Sequence, residues 1–231
     1  MLSAEASSDG LEAAKLEALY QFAYGLSHEI NNPLANIATR AQTLLVDEAD
    51  PERRRKLATI VQQAFRAHEM IADLMLFARP PALRVESVDL VQLADTVIGE
   101  LRSQALEQST ELSRASVADS LVAQADPTQI AVALKAIVQN SLEAVGEGGS
   151  VEIGVSGGER IVLKVSDTGP GISDAIRPHI FDPYFSGREA GRGLGLGLSK
   201  AWRIVALHGG SIAVENRAGG GVTFTFELPK S

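Results

Sequence analysis

The sequence predicts an α+β chain in which an N-terminal antiparallel helical hairpin precedes a two-layer α/β sandwich. Three observations predict it. Apolar residues recur at three- and four-residue steps through 11–46 and 52–78, and Asp47-Glu48-Ala49-Asp50-Pro51 separates the two stretches. Arg79-Pro80-Pro81 then ends the helical pattern and reads as an interdomain joint. Beyond it, short strand-like runs alternate with capped helical segments. The expected domains are residues 11–79 and 84–231.

Taken in order, residues 1–10 are small and polar and are expected to be disordered or a joint to an upstream segment. The first helix carries the stripe Leu19, Phe22, Leu26, Ile30, Leu34 and Ile37, with Pro33 expected to bend it. The second carries Ile60, Ala64, Ala67, Ile71, Leu74 and Ala78. Two helices cannot surround their own apolar stripes, so the same hairpin from a second chain is expected to complete a four-helix bundle, making a homodimer. After the joint, a strand is expected at 83–88, then a helix capped by Asp89 and running to 106. Strand-like runs at 111–117 and 121–124 precede Asp126-Pro127, an N-cap with proline at the first helical position, which opens a helix to 145. A hairpin of 151–155 with 161–165 follows, then a short helix at 174–180, a glycine-rich stretch and a helix at 195–207. The strands 212–215 and 222–228 close the chain as a last hairpin, and no internal repeat stands out.

Composition sets limits. The 231 residues are 45% hydrophobic and 22% charged, an ordinary globular balance. A net charge of -8 excludes a general nucleic-acid binder, because nothing would neutralise a phosphate backbone. Cysteine is absent, which removes disulfides, thiolate metal sites and a cysteine nucleophile. No apolar run approaches the roughly 18 residues of a membrane span, and the opening MLSAEASSDG lacks the basic and apolar regions of a signal peptide. The expectation is a soluble, cytoplasmic chain, either whole or the soluble part of a longer sensor protein.

Five clusters carry chemistry. On the first helix, His28 lies two residues from both Leu26 and Ile30, which at roughly 100° per residue puts it far around from the stripe. Glu29 follows directly and Asn32 sits one turn on. An outward imidazole beside a carboxylate can be a nucleophile with its base, although a lone His-Glu pair is far more often an ordinary solvated surface. On the helix after Pro127, Asn140 in Gln139-Asn140-Ser141 offers a neutral oxygen that can ligate Mg²⁺. Asp167-Thr168-Gly169-Pro170-Gly171 follows a strand directly, pairing an acceptor carboxylate with flexible backbone able to read the exocyclic amine of adenine. Phe181 and Phe185 border the glycine-rich segment. In that segment, Gly193, Gly195 and Gly197 alternate with leucines into a helix start, where backbone N–H groups can close on phosphate oxygens. Singly, each has a bland reading as a turn, a core residue or a linker.

Together, in this order, the five motifs resemble the sensor histidine kinases of two-component signalling over about residues 11–229. His28-Glu29-Ile30-Asn31-Asn32-Pro33 resembles the phosphoacceptor box of that family. Asn140 falls at the Mg²⁺-binding asparagine, Asp167, Gly169 and Gly171 at the first glycine box, Phe181 and Phe185 at the F box, and Gly193, Gly195 and Gly197 at the second glycine box. The resemblance implies a dimerisation and histidine-phosphotransfer hairpin followed by a Bergerat-type ATP-binding domain, with ATP and Mg²⁺ as ligands. It implies phosphoryl transfer to His28 and onward to an aspartate of a response-regulator receiver domain on another chain. Glu29 is expected as the base, Asn32 as the residue orienting water for dephosphorylation of the regulator, and Arg188 or Arg192 near the γ-phosphate.

Two positions depart from the family pattern. Ala136 stands where an asparagine often precedes the metal ligand by one turn, and Leu194 stands where threonine is frequent. Related gyrase-like and chaperone ATPases place a water-activating glutamate in the helical turn of Ala136, and an alanine cannot activate water. Two further classes stay open: a nucleotide-binding scaffold without catalysis, and a plain ATPase. His68, His179 and His208 share no metal-ligand spacing and are expected to be structural.

Overall fold

The computed structural model describes residues 2–115, 120–185 and 195–230, without the side chains of 2–13, Leu16, Ala23, Leu26 and His28. The chain divides into two compact units, Met1–Pro81 and Ala82–Ser231.

The first unit is a helical hairpin of α1 (Leu2–Asp47) and α2 (Pro51–Ala78). Residues 2–10 continue α1 rather than being disordered, because Leu2, Ala4, Glu5 and Ala6 are good helix formers and no proline interrupts them. The helix also runs on through Pro33. Asp50 stops the turn between the helices and starts α2: its Oδ1 accepts from the backbone N–H of Glu52 at 2.8 Å and of Arg53 at 2.9 Å. Arg54 reaches back to the carbonyls of Leu45 and Glu48, tying the turn to the end of α1. At the other end, the Arg79 guanidinium lies 5.1 Å over the Tyr20 ring, which stacks on Tyr24. Small residues, Ala38, Ala41 and Ala64, are buried in this hairpin, while Phe22, Ile37, Leu44, Ile60 and Phe65 remain exposed. Two helices bury one seam only, so these large apolar side chains stay exposed in a single chain.

The second unit is the two-layer sandwich. It comprises β1 (Glu86–Asp89), α3 (Leu90–Glu107), β2 (Glu111–Arg114), β3 (Val122–Ala125), α4 (Pro127–Val145), β4 (Ser150–Gly157), β5 (Arg160–Asp167), α5 (Gly197–Leu207), β6 (Ser211–Asn216) and β7 (Val222–Pro229). Five strands form one sheet in the order β2-β4-β5-β7-β6, antiparallel except for β2 beside β4. The remaining pair, β1 and β3, makes a separate two-stranded ladder. That ladder is only four residues long, which is why the strand expected at 83–88 starts later, at Glu86. The short helix expected at 174–180 is a single 3-10 turn, Arg177–His179, since Pro178 supplies no N–H to continue it.

The sheet buries one face by strict alternation. Ile153, Val155, Ile161, Leu163, Val165, Phe224, Phe226 and Leu228 are all 3% exposed or less, and register places Val165 opposite Phe224 and Leu163 opposite Phe226. The apolar faces of α3, α4 and α5 cover them, each fully buried Leu, Ile or Phe contributing about 1.5–3 kcal/mol.

Asp126 sets where α4 begins. Its Oδ1 accepts from the backbone N–H of Gln129 at 3.0 Å and its Oδ2 from that of Arg84 at 2.9 Å. Its own N–H donates to Nε2 of His208, whose Nδ1 faces the Ile204 carbonyl; these partners assign the neutral tautomer with the proton on Nδ1. His208 is therefore structural, as its spacing predicted. Burial alone would raise the Asp126 pKa, but the N–H donors of Arg84, Gln129 and Thr128 outweigh it and hold the carboxyl below its usual range. A folded-state pKa below the unfolded value stabilises above the unfolded pKa of about 3.9, and the contribution is lost as pH falls through the folded one. Urea midpoints of the second unit should therefore drop with acid from about pH 4 downward, and Asp126→Asn should flatten that part of the profile. An unchanged slope in the variant would assign the acid sensitivity to other carboxylates.

Candidate functional site

The last residue of β5 anchors the site. Asp167 is 1% exposed, and its Oδ1 accepts from the backbone N–H groups of Gly169 at 2.9 Å and Val222 at 3.1 Å. Its carbonyl accepts from Nη1 of Arg217 at 2.8 Å. Among the described residues Oδ2 has no hydrogen-bond partner. A carboxylate oxygen left so can accept a hydrogen bond from a ligand N–H.

Around the aspartate the backbone closes in. A Cβ on Gly169 would stand 3.1 Å from Asp167 Oδ1 and 3.4 Å from the Ala144 backbone, so this turn packs on the last turn of α4. Asn140 precedes Ala144 by four residues and shares its helix face, as does Ala136, which is buried at 8% exposure. Asp167 and Gly169 thus meet the last turn of α4, the helix that carries Asn140, while Gly171 lies against Asn216 and Gly221. At its own position on that face Ala136 offers a methyl group and no carboxylate.

The hairpin after β6 was expected, but the approach of its turn to the end of β5 was not. Asn216 pairs with both backbone groups of Ile172: the Ile172 N–H donates to Oδ1 at 2.8 Å, and Nδ2 donates to the Ile172 carbonyl at 2.7 Å. Gly221 has φ +89°, and a Cβ there would fall on the Asp167 carbonyl. The run Gly219-Gly220-Gly221 was legible as a hairpin turn, but nothing local signals that it must approach Asp167.

The aromatic box sits beside the start of α5. Phe181 and Phe185 are half-buried, and the His179 ring lies 6.0 Å from that of Phe185 while its Nδ1 meets Asp182 Oδ2 at 2.8 Å. Gly195 has φ +68°, and a Cβ there would stand 2.6 Å from the Phe185 carbonyl oxygen. Only glycine lets the two segments meet this closely. The structure therefore brings Phe185 and Gly195 together, and Gly197 begins α5, which the sequence had placed two residues earlier. Arg188, Arg192, Gly193 and Leu194 lie outside the described residues.

In the helical unit His28 falls on α1, but the outward direction expected for its imidazole lies outside the described side chains. Glu29 and Asn32 are exposed. Between them Asn31 meets His68 of α2, Oδ1 to Nδ1, at 3.0 Å. That contact across the hairpin was invisible in the sequence.

A mixed sheet backed by three helices, with an aspartate held above glycine turns at one end, defines a Bergerat-type nucleotide-binding unit, here fused to a helical hairpin. Comparison with known proteins agrees for both parts. Residues 18–82 match the His Kinase A (phospho-acceptor) domain, and residues 125–231 match the histidine kinase-, DNA gyrase B- and HSP90-like ATPase family. The chain belongs to the sensor histidine kinase family. It is 32% identical over 218 residues to the sensor histidine kinase ZraS of Klebsiella oxytoca, an alignment covering 93% of this chain and 47% of ZraS. Full-length ShkA in complex with AMPPNP superposes with a TM-score of 0.75 at 26% identity, over 90% of this chain and 45% of ShkA. The histidine kinase ThkA in complex with the response regulator TrrA gives a TM-score of 0.69 at 26% identity, over 98% of this chain and 66% of that one. The chain spans about half the length of the curated relatives it matches. Among the described residues no helix is long and apolar enough to cross a membrane.

Proposed function

We propose that this chain is the kinase core of a two-component sensor: residues 84–231 bind ATP, and residues 11–79 present His28 to receive its γ-phosphoryl group. The observation that carries this reading is Asp167, buried, with Oδ1 occupied by two backbone donors and Oδ2 left for the exocyclic amine of adenine. The complexes of ShkA with AMPPNP and of ThkA with TrrA support a nucleotide and a response regulator as its partners.

The residues present fit the expected ligands. Asn140 is the hard, neutral oxygen donor suited to Mg²⁺, on the helix face that meets Gly169. When bound, the ion would neutralise charge on the phosphates, which phosphoryl transfer needs more than covalent help. Asp167 orients the base, Gly193, Gly195 and Gly197 follow the phosphates with their N–H groups, and Phe181 and Phe185 flank that loop. Arg188 or Arg192 contacts the γ-phosphate. Glu29 draws the proton from one imidazole nitrogen of His28 while the other attacks phosphorus, forming an N–P bond as ADP leaves. His28 then passes the group to a receiver-domain aspartate, and Asn32 orients water in the reverse role of regulator phosphatase. The lack of a carboxylate at Ala136 supports transfer to a side chain over transfer to water.

The exposed Phe22, Ile37, Ile60 and Phe65 support dimerisation through the hairpin, where a second copy would cover them. The chain works in the cytoplasm, as the soluble part of a longer sensor.

Incubation with γ-labelled Mg²⁺-ATP tests the reading. Label should enter the protein, be lost in acid and survive alkali, as a phosphoramidate does, and His28→Ala should abolish it. ATP binding without label would favour the scaffold, and steady phosphate release from the His28→Ala protein would favour the plain ATPase.

A further inference from the structure

Among the described residues no strand pairs with the loop after β5. Pairing of β5 with β7 runs to Ser166 opposite Thr223, and pairing of β6 with β7 runs to Asn216 opposite Val222. Where the ladders stop, side chains take over. Asn216 presents one acceptor and one donor to the backbone of Ile172 at 2.8 and 2.7 Å, copying the pairing that a strand would have made. The next residue, Arg217, donates from Nη1 to the carbonyl of Asp167 at 2.8 Å. Its own backbone closes the turn, its N–H donating to Gly221 at 3.0 Å and its carbonyl accepting from Gly220 at 3.1 Å. The turn therefore grips the loop 167–172 at both ends, one bond at its first residue and two at its last.

We propose that Asn216 and Arg217 are positioning residues that aim the Asp167 carboxylate at the exocyclic amine of a purine, and so set adenine specificity. The inference rests on the reading of Asp167 as the adenine acceptor. Its physical basis is preorganisation: a carboxylate held from its Oδ1, its carbonyl and the far end of its loop has one direction left for Oδ2. Loosening the loop lets the carboxylate swing into water and forfeits the aimed bond without touching the phosphate contacts. A merely structural turn would instead affect every nucleotide alike.

The test measures affinity of the full chain for ATP and for purine riboside triphosphate, which lacks the amine. Asn216→Ala and Arg217→Ala should each weaken ATP binding on the order of tenfold while leaving the analogue within about twofold. In an Asp167→Asn background neither change should weaken ATP further, because the bond they aim is already gone. Arg217→Lys, which keeps one donor, should recover most of the loss and covers the case in which an alanine variant fails to fold. Equal losses for both nucleotides, additive losses in the Asp167→Asn background, or no loss at all would overturn the assignment. Failure of the unmodified chain to bind ATP would overturn the reading beneath it instead.

Discussion

Asp167→Asn should lower ATP affinity by about 30- to 1,000-fold while leaving the second unit folded. The substitution separates the two oxygens of one side chain. An asparagine carbonyl still accepts from Gly169 and Val222 at the place of Oδ1, so the β5 end keeps its local bonds. At the place of Oδ2 it puts an N–H₂, which would face the amine of adenine donor to donor. Two buried donors opposed to each other cost about 2–4 kcal/mol, combining a lost charge-assisted bond with an unsatisfied group. The same geometry predicts a change of preference. A purine with a carbonyl at that position should bind the variant better than it binds the parent. Titration calorimetry with ATP and ITP reads both effects; equal affinity of parent and variant for ATP would remove Asp167 from base recognition.

The second large effect is one of stability. Gly221→Ala should cost about 3–5 kcal/mol and lower the melting temperature of the second unit by about 10 to 15 °C. The backbone there sits at φ +89°, where a side chain is strained by itself. In addition the new Cβ would fall on the carbonyl of Asp167 and stand 3.0 Å from Cα of Thr168. Both obstacles are main chain, so no rotamer change relieves them. Relief requires moving β7 away from the end of β5, which breaks the Val222 bond to Asp167 and the Arg217 bond beside it. Thermal unfolding followed by circular dichroism is the measurement, and a variant within about 2 °C of the parent would show that the turn yields freely. Gly219→Ala is the control, since a Cβ there meets nothing within 4 Å.

What the sequence showed well was local. Asp89 and Asp126-Pro127 placed the starts of α3 and α4 because an N-cap acceptor, and a proline at the first helical position, act within four residues. The strand-like runs at 151–155, 161–165 and 222–228 fall within three strands of the sheet, again a short-range signal. The order of the motifs identified the family. Where the readings failed, a partner distant in the chain decided. The strand expected from 83 waits for β3 to pair with it, and the helix expected from 195 begins at Gly197 because Gly195 is held in a left-handed turn against Phe185. The tail of α1 went the other way, since its small polar residues read as disordered yet continue the helix.

The sequence by itself thus determined the two-part architecture, the starts of α3 and α4 and the residue types at the candidate nucleotide site. Tertiary structure alone decided that β2 runs parallel to β4, that Asn31 meets His68, and that Asn216, Arg217 and Gly221 frame Asp167. The physical reason is one of range. Capping, alternation and turn chemistry act over a few residues and leave a local pattern. A hydrogen bond between residues 44 or 50 apart leaves none until the sheet has brought them together.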